Sequence, residues 1–177
     1  MLNVKRTTPY NVQEVFQKCE YTSNGYTLPY RLYIPKNYDC GEHYPLVLFL
    51  HGAGERGTDN EAQINVGIAK AFEDVTSPIY DAIVVAPQCP VGSQWVLTPW
   101  EKGNYIVDNV PESRELECVC GILDECRDFY NIDEDRVYVT GLSMGGFGTW
   151  DMLARHGARF AAGLPICGGG DPSRAKA

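Results

Sequence analysis

Histidine is scarce in this 177-residue chain: there are three, and none lies beyond position 156. Any imidazole chemistry therefore falls to His43, His51 or His156. Basic residues are also in deficit, with 15 Lys and Arg against 23 Asp and Glu and a formal net charge of -8. A chain so poor in Lys and Arg cannot build the patch that neutralises phosphates, so nucleic acid is excluded as a partner. No apolar run approaches the roughly 20 residues that cross a bilayer. Met1 to Tyr10 lacks the apolar core of a secretory leader, so we expect no membrane partner and a cytoplasmic location. Paired C-x-x-C knots, an H-x-x-x-H pair and clustered carboxylates are missing, and we expect neither a metal nor a cofactor. The seven cysteines, at 19, 40, 89, 118, 120, 126 and 167, are expected to be reduced, buried thiols. Two of Cys118, Cys120 and Cys126 could share a helix face, the one arrangement here that could be weighed for a metal.

What is present is an ordinary globular composition, 44% hydrophobic and 21% charged, without internal repeats. Residues 1–177 are expected to form one domain. Phe16 to Ser23, a turn at Asn24-Gly25, and Tyr26 to Pro35 read as a hairpin, since Asn-Gly favours tight turns. Tyr44 to Leu50 is an unbroken apolar run, which suits a strand covered on both faces. A Gly-rich loop (51 to 60), a helix over about 61 to 73 and a second buried strand, Ala82 to Pro87, then follow. After a long aromatic loop come an amphipathic helix (112 to 130), the strand Arg136 to Thr140, a helix from Gly146 to Arg155 and the strand Phe160 to Ile166. Strands alternating with helices in this way predict an α/β fold, with a mostly parallel central sheet flanked by helices.

Gly141-Leu142-Ser143-Met144-Gly145 lies between a predicted buried strand and a predicted helix, the setting that a G-x-S-x-G nucleophile elbow requires. Gly141 and Gly145 remove the side chains that would clash with the neighbouring strand and helix at such a sharp turn. A dinucleotide fingerprint is a poorer reading, because the glycine cluster follows a late strand rather than the first. His51-Gly52-Ala53-Gly54, directly after the first central strand, fits an oxyanion loop. Met144 N–H would supply one donor and Ala53 or Gly54 the other, each contributing on the order of 3 kcal/mol to a transition state that builds charge on a carbonyl oxygen. His51 is read as organising this loop rather than accepting the serine proton. Trp95, Trp100 and Tyr105 are candidate linings of an acyl or aromatic-alcohol pocket.

Taken in order, Tyr33-Ile34-Pro35, Tyr44 to Asn60, Ala86-Pro87-Gln88-Cys89-Pro90, Val139 to Gly146 and Pro165 to Gly170 resemble the carboxylesterase group of α/β-hydrolases. That group includes feruloyl esterases, polyhydroxybutyrate depolymerase-like proteins and predicted peptidases. The resemblance covers nearly the whole chain. It implies a serine ester hydrolase acting on short-chain or aryl esters through an acyl-Ser143 intermediate. An acyl-peptidase and a catalytically silent hydrolase-like scaffold are the alternatives.

The family's triad runs Ser, then Asp or Glu, then His, the last two on loops after later strands. Here eleven residues follow Ile166, with no histidine among them. Two readings stay open: a truncated chain lacking the final strands, acid and histidine, or a shortened hydrolase that takes its base from an unusual place or a second subunit. His43 is expected on the solvated surface, and His156 as a cation at a helix end. Asp171 sits in a turn signal and is given no triad role. An unpaired sheet edge and bare apolar faces would follow from missing strands, so we expect a homo-oligomer that covers them.

Overall fold

The computed structural model describes residues 8–175, so most of the segment Met1 to Tyr10 lies outside it. A one-turn helix α1 (Val12–Val15) leads into the antiparallel strands β1 (Gln17–Ser23) and β2 (Tyr26–Tyr33). Between them Asn24 and Gly25 both take positive φ, 50° and 73°. This is the mirror-image turn whose twist matches paired strands, and it explains why Asn-Gly marks the hairpin.

Strands β3 (Tyr44–Leu50), β4 (Ile83–Pro87), β5 (Ile132–Leu142) and β6 (Ala162–Ile166) complete one six-stranded sheet in the order β1-β2-β4-β3-β5-β6. β3 runs parallel to both β4 and β5, and β6 runs parallel to β5; β2 is antiparallel to both of its neighbours, β1 and β4. The sheet is mixed, with four parallel strands at its heart.

Two cores form because strand side chains alternate between faces. Leu46, Leu48 and Leu50 of β3 and Val137 and Val139 of β5 pack with the long helix α3 (Arg114–Phe129) and with α4 (Met144–His156). Ser113 starts α3 by accepting the Leu116 N–H (3.2 Å), and Leu116, Val119, Ile122 and Leu123 form its buried stripe. On the opposite face Phe49, Val84 and Ala86 pack against Phe16, Ile64, Ile68, Phe72 and Tyr80.

The helix expected over 61 to 73 is broken. A 3-10 turn (Ala62–Ile64) and the one-turn α2 (Ile68–Ala71) replace it, separated by Gly67 at φ 72°. A side chain at Gly67 would come within 2.5 Å of the Phe49 ring, so packing against β3 sets the break. The later helices and strands stand where the pattern places them, although α4 begins two residues earlier than expected and β5 four.

The expectation of buried thiols holds only in part. Cys89, Cys118 and Cys126 are buried, Cys19 and Cys120 are half-buried, and Cys40 and Cys167 are exposed. β6 is an edge strand whose Leu164 and Ile166, in register with Thr140 and Leu142, are 64% and 42% exposed. Among the described residues no helix is long and apolar enough to cross a membrane.

Candidate active site

β5 ends at Leu142 and α4 begins at Met144, leaving Ser143 alone on the bend between them. Its backbone sits at φ 56°, ψ -113°, a region that costs a residue with a side chain on the order of 1–3 kcal/mol. Two bonds hold it there: Ser143 N–H donates to Ile166 O (2.8 Å), and Ser143 O accepts the Phe147 N–H (3.1 Å). The residue is exposed and its side chain caps nothing, so the hydroxyl stands free at the carboxyl end of the sheet. The first N–H groups of α4 have no partner within the helix, and the positive end of its dipole lies beside that hydroxyl.

The glycines of this bend are required by contact. A Cβ on Gly145 would lie 1.8 Å from Leu50 O, and one on Gly141 would lie 2.4 Å from Gly145 O. The end of β3 therefore touches the backbone of α4 directly. A Cβ on Gly52 would lie 3.8 Å from Ser143 Cβ, which sets the loop after β3 against the serine.

Three carbonyls of that loop are held. His51 O accepts the Trp95 indole N–H (3.0 Å), Gly52 O accepts His51 Nδ1–H (2.6 Å) and the Glu55 N–H (3.3 Å), and Ala53 O accepts Arg56 Nε–H (3.0 Å). A trans peptide points its N–H opposite to its C=O, so these bonds set the directions of the N–H groups of Gly52, Ala53 and Gly54. Arg56 is tied in turn to Ser93 O (3.1 Å), with its guanidinium 5.7 Å from the Trp100 ring centre. Gln88, fully buried, bonds Asp59 (2.8 Å), Glu55 O (3.1 Å) and the Asn60 N–H (2.8 Å), fastening the far side of the loop to the end of β4.

His51 is 1% exposed. Its Nε2 accepts the Cys89 backbone N–H (2.9 Å), which leaves the ring proton on Nδ1. Both nitrogens are engaged, and burial pushes its pKa down to about 4. His43 lies at the opposite end of the sheet, beside Tyr44 at the start of β3, where it lines a cavity of about 660 Å³. His156 ends α4, roughly 18 Å along the helix from Met144. The described residues bring no free imidazole to Ser143.

The aromatic candidates separate. Trp95 is fully buried, stacked edge-on against His51 (5.2 Å), and supports the loop from below rather than facing a substrate. Tyr105 is buried too, donating to Asp151 (2.6 Å), whose other oxygen meets Arg155 (2.7 Å). Trp100 alone of the three is half-exposed. Asp171 forms the turn expected of it, accepting the Val107 N–H (2.9 Å) and both the N–H and hydroxyl of Ser173. Those donors hold its carboxyl below the usual range. Sequence reasoning missed Gln88, Arg56 and the Cys89 N–H as supports of the loop. The motif Ala86 to Pro90 was the available signal, but its role depends on a contact 38 residues away.

Comparison with known proteins identifies the family. The pattern of the Esterase family matches residues 23–167. Acetylxylan esterase A of Emericella nidulans is 24% identical over 173 residues, covering 95% of this chain and 50% of that protein. A bifunctional acetylxylan esterase/xylanase of Neocallimastix patriciarum is 27% identical over 137 residues, 77% of this chain and 17% of its own length. The crystal structure of a thermostable esterase superposes with a TM-score of 0.80 at 39% identity, covering 93% of this chain and 44% of that one. The chain spans half or less of the length of each of these relatives.

Proposed function

The chain belongs to the Esterase family, and from that premise we propose that it carries the nucleophile of a carboxylic ester hydrolase. Ser143 Oγ attacks the ester carbonyl, the alcohol leaves, and water releases the acid from an acyl-Ser143 intermediate. Met144 N–H, with Ala53 or Gly54 N–H, receives the negative charge of the tetrahedral intermediate. His51 and Gly52 organise that loop, and Gly141 and Gly145 admit the bend. Trp100 borders the acyl or alcohol pocket. The substrates are small esters of short-chain acids or aryl groups; the acetylxylan esterases among the relatives support an acetyl-sized acyl group.

The observation that carries this reading is the exposed Ser143 at φ 56°, set against the loop of Gly52 at the head of α4. Hydrolysis of p-nitrophenyl acetate by the 177-residue chain beside Ser143→Ala, with active sites titrated by a fluorophosphonate, tests it. Serine-dependent turnover supports the proposal. Without a partnered base the rate should be low, yet an oxyanion hole and binding alone leave about a thousandfold or more over water.

One observation favours a second reading, a catalytically silent hydrolase-like scaffold: both nitrogens of His51 are engaged, and no other imidazole reaches the serine among the described residues. Absence of fluorophosphonate labelling and identical rates for the two proteins would decide for it. We further propose that the open face of β6 pairs with a second copy of the chain, because Leu164 and Ile166 are exposed at an unpaired sheet edge.

A further inference from the structure

Away from the serine, three side chains of different chemistry converge behind α4. Glu112 lies just before α3, Cys120 is on its second turn, and His156 is the last residue of α4. One ligand atom from each, a carboxylate oxygen, the thiol sulfur and a ring nitrogen, lies within 4.8 Å of the others. His156 Nε2 and Glu112 Oε1 are 2.8 Å apart, and all three residues are half-buried.

We propose that Glu112, Cys120 and His156 form a binding site for a zinc-like divalent cation, with water as the fourth ligand. The donor set is one oxygen, one sulfur and one nitrogen. It suits a borderline-soft ion that takes carboxylate, thiolate and imidazole together, and it disfavours calcium or magnesium, which select oxygen alone. Tetrahedral bonds of about 2.0–2.3 Å set ligand atoms about 3.3–3.8 Å apart, so the trio needs shifts of only about 1 Å to enclose an ion. Binding breaks the S–H bond of Cys120, forms the sulfur–metal bond and releases the thiol proton to solvent; the Nε2 proton that His156 donates to Glu112 moves through solvent to Nδ1, so that the ring binds the ion as a neutral imidazole. Burial pushes this thiol up to about 11, so it is a neutral thiol at rest. The cations nearby are already matched: Arg159 binds Asp124 (2.6 Å), and Arg127 pairs with Asp124 and Glu134. The carboxylate of Glu112 is held by His156 (2.8 Å), beside the ring nitrogen with which it would share the ion.

The site differs from the all-cysteine arrangement that the spacing on α3 suggested. Cys118 and Cys126 point into the core, whereas Cys120 turns to the end of α4. Roughly 18 Å of helix separates it from Met144, so the ion would serve as a clamp between α3 and α4 rather than as a reagent in ester cleavage.

Cobalt(II) alone, added to the full chain after chelator treatment, is the probe. The expected result is one ion per chain with a thiolate-to-cobalt absorption band, reversed by zinc. Cys120→Ser and His156→Ala should lose the band and weaken binding by at least about a hundredfold. Cys167→Ser, at an exposed thiol, should keep it. Far-UV circular dichroism checks that each variant is folded. Glu112→Gln, which keeps a hydrogen bond to His156, gives a second test through weakened binding. Absence of a band in the parent chain, or a band that survives Cys120→Ser, overturns the proposal. Esterase activity is not part of the readout, so the two proposals stand or fall separately.

Discussion

The ring of His51 and the backbone N–H of Cys89 are joined by a 2.9 Å hydrogen bond across 38 residues of sequence. The bond fixes the neutral imidazole between two backbone segments, and burial holds its pKa at about 4 against about 6.5 in an unfolded chain. The unfolded chain thus binds a proton that the folded one refuses between those values. The neutral ring contributes fully above pH 6.5. That contribution, about 3 kcal/mol, is lost as pH falls from 6.5 towards 4. Urea midpoints measured at pH 7, 5.5 and 4 should decline across that window. In His51→Gln, which has no titrating group, this part of the decline should vanish.

Ser143 and Gly145 should respond in opposite ways to a change of one methyl group's size. Ser143→Gly relieves the strain at φ 56° and should raise stability by about 1 kcal/mol while abolishing any serine-dependent turnover. Gly145→Ala drives a Cβ into Leu50 O and should cost at least about 3 kcal/mol. Thermal unfolding of the two variants is the check; equal melting temperatures would refute the account of the bend.

Trp95→Phe keeps most of the buried ring but removes the donor to His51 O. Leaving that carbonyl unsatisfied should cost about 1–3 kcal/mol. If the loop supplies an oxyanion donor, turnover of p-nitrophenyl acetate should fall by tenfold or more with little change in KM. An unaltered kcat in a folded Trp95→Phe protein would detach the loop from catalysis.

Light scattering of the 177-residue chain should find a species larger than a monomer. Leu164→Glu, placing a charge on the open face of β6, should shift it to the monomer. A parent chain that is strictly monomeric at assay concentration removes the proposed pairing.

Much of this architecture is written locally. The Asn24-Gly25 turn needs only two residues that accept positive φ, and the stripe on α3 needs only its own spacing, so both are legible from the chain. The break at Gly67 is not, because its cause is the Phe49 ring on another element. The same division runs through the candidate site. Ser143 and its glycines stand within one short motif, whereas the bonds of Gln88 to Glu55 O, Arg56 to Ser93 O and Trp95 to His51 O join loops far apart in sequence. The cysteine spacing on α3 drew attention to Cys118, Cys120 and Cys126, but Glu112 and His156 reach Cys120 only through the packing of two helices.

The contact of Gly145 with Leu50 O leaves no side chain between the end of β3 and the head of α4. Side-chain layers are where proteins absorb small displacements by changing rotamer; backbone against backbone has no such slack. Ser143 and the loop of Gly52 to Gly54 are therefore mounted on one stiff joint, and a shift of the strand carries the helix with it. The separation of the two elements is set by the thickness of two main chains, whereas the core around them, through bonds such as that of Trp95 to His51 O, sets only the direction in which the loop amides point.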